Sequence, residues 1–328
     1  MPSVRDRIQQ QVFRLNGLAM NDFDLSKPVG DPGLYGPDSV IWRVHGDFSS
    51  MLCGGISALL MQMLHPLALA GVWDHSTFRQ DMMGRLRRTS QFIAVTTFGN
   101  TADAQTLIER VKRIHLQVSG VDAQGTPYAA SDPRLLTWVH VAETSRFLAA
   151  HLRYKNPRLS LAEQDRYYAE AAVVAEALGA EKVPKTVKAI DEYLQAMRPE
   201  LRCDERTREV LSLLLNAPAP SWQARPAMKS MMMAGIELLP EWAQQQFGFQ
   251  FSPLRRRAIR LRITLLAATL RWAIRRGAYQ RAMQRMGRHF ETFTLALTWH
   301  NGTSCSILRE MDPPPQPSRL YDTVVPDC

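Results

Sequence analysis

Apolar residues recur every three or four positions along most of this chain, and this spacing constrains the fold more than any other feature. The period places apolar side chains on one face of an α-helix, whereas a half-buried strand needs strict alternation. Alternating stretches are scarce, and residues 95–98 form the one short segment that suggests a strand. We therefore predict an all-α protein built around a single large helical domain.

Capping residues mark several of the predicted helix starts. Asp132 followed by Pro133 is typical of an N-cap with proline at the first helical position, and Ser160 with Glu163 forms a capping box. Thr101 is the predicted cap of a further helix. The Thr101 helix covers residues 101–118, and the other predicted helices cover residues 54–65, 186–197, 205–215, 255–276 and 278–297.

Composition divides the chain into three predicted segments. Residues 1–40 are rich in glycine, proline and aspartate, and we expect an N-terminal arm there. Residues 41–300 carry the helical domain. Residues 301–328 are proline-rich and lack periodicity, which predicts an extended C-terminal tail.

The four cysteines are scattered and form no CxxC pair, so their spacing fits neither a zinc site nor covalent c-type haem attachment. Scattered cysteines are typical of a reducing compartment, and the first residues contain no apolar run of the kind found in secretory leaders. We therefore expect a cytoplasmic protein.

The net charge of +9 comes from one segment, because no acidic residue lies between Glu241 and Glu291. The arginines of that segment are Arg255, Arg256, Arg257, Arg260, Arg262, Arg271, Arg275, Arg276, Arg281, Arg285 and Arg288. Aromatic interleaving and any nucleic-acid-reading module are missing, so we predict no nucleic-acid partner.

The predicted helix at 255–276 has one apolar face, formed by Ile259, Ile263, Leu266, Leu270 and Ile274. We favour packing of this face on the core, with a solvated basic side outward. Peripheral contact with an anionic membrane through 255–276 is the alternative.

Polar residues are dense within residues 64–120, which otherwise have the pattern of buried helices. His65, Asp74, His75, Arg85 and His115 all fall there. Buried polar groups cost stability unless they are satisfied, and a bound prosthetic group would satisfy them. The dinucleotide, P-loop, zincin and serine-hydrolase fingerprints are all absent.

His115 is the sharpest candidate ligand, because it lies on the apolar face formed by Ile108, Val111, Ile114 and Val118. An imidazole in that position could bind iron through one ring nitrogen. The alternative is a core histidine satisfied by ordinary hydrogen bonds.

Arg85 and Thr89 share a helical face, and Arg88 is a near neighbour. Arginines there could pair with haem propionates, and Thr89 could hydrogen-bond to oxygen; the alternative is a solvated basic face. Asp74 could orient His75 or relay protons, or could simply cap a helix. We expect these last two residues in a loop.

An ordered set of motifs resembles the family of MpaB-type oxygenases and latex-clearing rubber oxygenases (DUF2236), over about residues 40–250. The matching runs begin with Leu64-His65-Pro66, Gly71-Val72-Trp73-Asp74-His75-Ser76, Phe78-Arg79 and Gly84-Arg85-Leu86-Arg87-Arg88-Thr89. They continue through Val111-Lys112-Arg113-Ile114-His115, Pro127-Tyr128, Asp132-Pro133, Trp138-Val139-His140, Arg166-Tyr167-Tyr168 and Leu238-Leu239-Pro240.

This resemblance implies a globin-reminiscent helical core that binds haem b, with His115 as the proximal iron ligand. Arg85, Arg88 and Thr89 match the family's Arg-x-x-Lys-Thr motif, with Arg88 in place of lysine. A guanidinium stays protonated, so the sixth iron position is expected to be open or filled by water. The glutamate base of the rubber enzymes has no aligned counterpart, and Asp74 is the nearest carboxylate. Polyisoprene cleavage is therefore not implied.

The resulting expectation is a haem-dependent oxygenase or oxidase that acts on a hydrophobic small molecule, with O2 bound at the His115-ligated iron. Asp74, His75, Arg85 and Thr89 are the predicted catalytic residues. The predicted cofactor-binding residues are His115, Arg85, Arg88, His140 and His65. A haem carrier or gas sensor without turnover is one alternative. A non-haem metal site built from His65, His75, His115 and His140 is another.

Overall fold

The fold is described from a computed structural model, which defines residues 3–15, 23–219 and 221–288. These residues form fourteen α-helices, two 3-10 turns and one short β-hairpin. The prediction of an all-α, single-domain protein is confirmed. The predicted tail at 301–328 and the predicted helical residues 289–297 lie outside the described ranges.

The helices in chain order are α1 (Val4–Leu15), α2 (Val40–His45), α3 (Phe48–Gln62), α4 (Pro66–His75), α5 (Met82–Phe98), α6 (Thr101–His115), α7 (Pro133–Tyr154), α8 (Leu161–Leu178), α9 (Val187–Met197), α10 (Glu205–Leu215), α11 (Arg225–Glu237), α12 (Glu241–Gln246), α13 (Pro253–Ala273) and α14 (Ala278–Arg285). Strands β1 (Ser119–Val121) and β2 (Pro127–Ala129) pair antiparallel between α6 and α7.

Helices α3 and α7 form the central packing contact of the described residues. Gly54 of α3 allows their close approach, because a Cβ there would meet the Arg146 carbonyl at 3.0 Å and the Ala150 Cβ at 3.1 Å. Trp138 of α7 and Trp42 of α2 are both fully buried. The core is therefore organised around two helices whose backbones nearly touch.

Most of the predicted caps are confirmed. Asp132 accepts hydrogen bonds from the first amides of α7, and Ser160 and Glu163 form the capping box of α8. The Thr101 cap was wrong: the preceding residue, Asn100, accepts the amide hydrogen bond that begins α6.

The predicted strand at residues 95–98 was wrong, because these residues form the last turn of α5. The β-branched run Val95-Thr96-Thr97 suggested a strand locally. Thr96 instead donates its hydroxyl hydrogen bond back to the Phe92 carbonyl, and Val95 is buried in the core. Tertiary packing outweighs the local β preference here.

Helix α13 packs Ile259, Ile263 and Leu270 into the core, as its spacing predicted. The predicted basic outer side was only partly right, because Leu261 and Leu265 are among the exposed residues of that side. Helix α1, inside the predicted arm, packs against α13.

None of the helices in the described ranges has, on its own, the length and apolar composition to cross a membrane. Helices α3 and α4 meet both requirements only as a pair, and they are bent by 102° at their junction.

Candidate functional site

Helices α5 and α6 carry the arginines and the histidine that the sequence singled out. Asp81 begins α5 by accepting a hydrogen bond from the Gly84 amide, and Asn100 begins α6 by accepting one from the Asp103 amide. Only Gly99 and Asn100 separate the two helices, which pack against each other. Both groups of candidate residues therefore belong to one helical hairpin.

Arg85 is a partly buried cation on α5. Burial, with a smaller contribution from the Arg88 charge, lowers the pKa of Arg85 to about 10. Among the described residues, no carboxylate pairs with it. Arg87 is half-buried, and its Nε is buried without a hydrogen-bond partner. Arg85 and Arg87 are thus two cations of α5 that have no carboxylate partner among the described residues, and because they are two positions apart they lie on different sides of the helix.

Arg88 and Thr89 lie nearer the solvent. Arg88 is exposed, and its Nη1 lies 3.8 Å from Asp81 Oδ2. Thr89 is also exposed, although it follows Arg85 by four positions and therefore shares its face of α5. Phe92, the next residue on that face, is half-buried. The face formed by Arg85, Thr89 and Phe92 is thus half open.

His115 occupies the last position of α6, on the side of the helix that carries Ile108 and Val111. Its Nδ1 is buried and has no hydrogen-bond partner, and burial lowers the pKa of the ring. Ile114, which was predicted on this apolar face, is instead exposed. A neutral imidazole with an unsatisfied buried nitrogen is a form that suits ligand binding.

His140 and Glu143 lie one turn apart on α7. Solvent reaches part of each side chain, yet burial lowers the pKa of His140 to about 4 and raises that of Glu143 to about 7. His140 Nε2 is buried without a partner, while Glu143 hydrogen-bonds to Gln62 of α3. Both side chains therefore lie on a largely desolvated side of α7.

His45 joins the inner faces of α5 and α7. Its Nδ1 lies 2.9 Å from Thr97 Oγ1 of α5, and its Nε2 lies 3.1 Å from the Tyr167 hydroxyl of α8. Its ring meets Phe147 of α7 edge-on at 5.3 Å. Burial lowers the pKa of His45 to about 3, so the ring is neutral. His45 therefore connects α2 to α5, α7 and α8.

The other predicted site residues have structural partners. His65 begins α4, where its Nδ1 accepts the Leu67 amide at 3.2 Å, and its ring lies against Trp138. Asp74 accepts the Tyr128 hydroxyl at 2.7 Å, and His75 Nε2 lies 3.1 Å from the Ser119 carbonyl.

The loop predicted for Asp74 and His75 was wrong, because both residues belong to the last turn of α4. Their hydrogen bonds attach the β-hairpin to that helix.

The four histidines of the predicted non-haem site do not converge. Within residues 3–15, 23–219 and 221–288, no group of three or more His, Cys, Asp or Glu side chains could hold a metal ion. Haem requires only one protein ligand to its iron, together with cations for its carboxylates. The unsatisfied buried nitrogens of His115 and Arg87 are of the two kinds that this requires, an imidazole nitrogen and a cation.

A sequence model described as ER-bound oxygenase mpaB/B'/Rubber oxygenase, catalytic domain, matches residues 42–276. The chain belongs to this family. Membership supports an oxidoreductase of the oxygenase class, as the motif resemblance implied. Comparisons with curated proteins and with solved structures gave no significant match.

Glu143 was missed by the sequence reasoning, and His45 was given no role there. The signal for Glu143 was nevertheless present, because it lies three positions after His140 and four before Phe147. Helical spacing places all three on one side of α7. A carboxylate among residues predicted to face inward is unusual enough to mark a candidate site.

Proposed function

We propose that the protein is a haem b-dependent oxygenase or oxidase that uses O2 and acts on a hydrophobic small molecule. The observation that carries this proposal is the buried, unpaired Nδ1 of His115 at the end of α6, inside the region that matches the oxygenase family. The scattered cysteines favour a reducing, cytoplasmic location.

His115 is the proposed protein ligand to the iron. Its lowered pKa keeps the imidazole neutral near neutral pH, and only the neutral ring has a lone pair to donate. Arg85 is the proposed partner of one porphyrin carboxylate, because it is a partly desolvated cation, and Arg88, three positions later and closer to the solvent, is the proposed partner of the other. Haem would supply the redox chemistry with O2, which no protein side chain provides.

Glu143 is the proposed proton donor and acceptor of the site. With a pKa of about 7, its Oε can hold or release a proton near neutral pH. Gln62 holds the carboxyl by a hydrogen bond, and the Nε2 of His140 offers a polar contact one turn away. Glu143 joins Asp74 and His75 as a candidate for proton movement, and the catalytic role of those two residues, whose hydrogen bonds hold the β-hairpin, stays a prediction.

The apolar side chains of α3, α5 and α7 favour a hydrophobic substrate. Ile56 and Leu59 of α3, Leu86 and Phe92 of α5, and Val139 of α7 are only partly buried against the core. Half-buried apolar residues beside a few convergent polar groups are typical of small-molecule sites. These partly exposed apolar side chains support an apolar substrate, and Glu143 and His140 are its proposed polar contacts.

The absorption spectrum of the protein purified from haem-supplied cells tests the proposal. We expect a Soret band, and a pyridine extract with the spectrum of haem b. His115→Ala should weaken hemin binding at least about tenfold with the helical circular dichroism unchanged. The matched control is His75→Ala, which removes an exposed histidine on α4 and should bind hemin like the wild type.

Folded protein that neither carries haem nor takes up added hemin would rule this function out. Wild-type hemin affinity in His115→Ala would transfer the ligand role to another residue, with His140 tested next. Oxygen consumption with a reductant and a panel of apolar compounds then separates an oxygenase from a haem carrier.

A further inference from the structure

The outer face of α13 carries a second apolar stripe, opposite the one in the core. Its members recur at intervals of three or four and are all exposed: Leu254, Ala258, Leu261, Leu265, Ala268 and Trp272. The exposed fractions of Leu254, Leu261, Leu265 and Trp272 are 77%, 62%, 63% and 53%. A helix that is apolar on two opposite sides needs a second apolar environment in addition to the protein core.

Arginines border this stripe on both sides. By helical spacing, Arg257 and Arg260 lie along one edge and Arg255 and Arg262 along the other. All four are exposed, and none forms an ion pair within the described part of the chain. At the far end, Arg5 of α1 stacks on the Trp272 ring at 4.4 Å and adds a further positive charge.

We propose that this face of α13 lies on an anionic membrane surface, with the leucines and Trp272 in the interface and the arginines against lipid phosphates. Charge complementarity selects this occupant: between Glu241 and Glu291 the sequence has no acidic residue to offset the arginines. Two copies of this face would place arginine against arginine, so self-association is disfavoured. Tryptophan is also typical of the membrane–water interface.

Co-sedimentation of the full chain with phosphatidylcholine vesicles, with and without phosphatidylserine, tests this proposal. We expect binding only to the anionic vesicles, and weaker binding as added salt screens the charges. The double variant Leu261→Ser/Leu265→Ser should bind at least about tenfold more weakly, because it removes interfacial apolar area. Arg257→Gln/Arg262→Gln should also lose at least about tenfold, at about fivefold per arginine.

Matched controls come from the α7–α8 corner. Leu161→Ser and Arg158→Gln change an exposed leucine and an exposed arginine away from α13, and both should bind like the wild type. Because every substituted side chain is exposed, circular dichroism and thermal unfolding should show unchanged folding in all variants.

Three results would overturn the proposal. One is failure of the wild type to bind anionic vesicles at low salt. Another is unchanged binding by both double variants. The third is binding that appears only after residues 289–328 are deleted, which would make that segment the occupant of the face. A change from dimer to monomer in Leu261→Ser/Leu265→Ser, without any effect on vesicle binding, would instead assign the face to a second copy.

Discussion

The neighbours of Glu143 determine its charge state. The cation one turn further along α7, Arg146, does not pair with it but donates to the Leu238 carbonyl at 3.0 Å. Glu143 is left with Gln62 as a hydrogen-bond partner, and burial raises its pKa from 4.5 to about 7. One carboxyl of α7 therefore changes its protonation near neutral pH, while His140 stays neutral there.

Glu143→Gln should stabilise the protein at alkaline pH. The folded-state pKa lies above the unfolded value, so the folded state holds the proton more tightly and its stability falls as pH rises from 4.5 to about 7. Glutamine removes the cost of burying the carboxylate. We expect the substitution to raise the free energy of unfolding by about 1–3 kcal/mol at pH ~8 and to have little effect near pH ~4.

Urea unfolding across this pH range measures the effect of Glu143→Gln. Glu109→Gln, which changes an exposed carboxylate on α6, is the control and should show no such trend. If the free energies of unfolding of the wild type and of Glu143→Gln differed by the same amount at every pH, the assigned pKa would be contradicted.

Sequence spacing is enough to find His115 and Arg85, because both stand out against an apolar helical pattern. It is not enough to rank them. Arg85 and Arg88 look alike in the sequence, and only packing shows that the first is desolvated while the second faces solvent. The burial that shifts Glu143 likewise depends on α3, which is far away in sequence.

At the scale of elements, Gly54 and Gly55 are adjacent in α3 but face different surroundings. A Cβ on Gly54 would meet the backbone of α7, including the Arg146 carbonyl at 3.0 Å, whereas the nearest atom to one on Gly55 is Phe147 Cε1 at 3.8 Å. Backbone atoms cannot move aside as a flexible side chain can. The close approach of α3 and α7 therefore depends on Gly54.

Gly54→Ala should destabilise the protein by about 1–3 kcal/mol, because the added methyl group forces α3 and α7 apart. Gly55→Ala is the matched test: it fits without a clash and should be neutral or stabilising by up to about 1 kcal/mol through helix propensity. Urea denaturation of both variants measures the two free energies of unfolding. Equal values for the two substitutions would remove the argument for a Gly54 contact.

Sequence signals predict the start of a helix well where the capping side chain and the amide that it caps are close neighbours in the chain. The caps at Asp132 and Ser160 need only residues within one turn, and both are confirmed. Residues 95–98 were misassigned because burial by other helices, invisible in the local sequence, decides their conformation. In α13 the sequence revealed the apolar stripe that packs in the core. The outer stripe was missed in the sequence, because its leucines are interspersed with arginines along the helix.

At the scale of the whole molecule, Arg285 connects parts of the chain that are distant in sequence through hydrogen bonds to backbone carbonyls. It belongs to the basic segment by sequence, yet it is fully buried. Its guanidinium donates to the carbonyls of Leu25 and Asp31 in the N-terminal region, and to those of Phe98 and Gly99 at the α5–α6 turn. Arg285 thereby joins the helical hairpin that carries the candidate site to the segment around Leu25 and Asp31 and to α14.

Arg285→Lys should therefore cost about 2–4 kcal/mol although it keeps the charge. The planar guanidinium reaches four carbonyls from one position, whereas a lysine ammonium has three donors at a single point and leaves some of these carbonyls unsatisfied. The free energy of unfolding measures this loss, and limited proteolysis should cut residues 23–36 faster than in the wild type. Arg276→Lys, an exposed change beside α14, should stay within about 0.5 kcal/mol. If the two lysine variants were equally stable, the positive charge of residue 285 would be sufficient to hold these segments together. The hydrogen-bond geometry of Arg285 would then not contribute to stability.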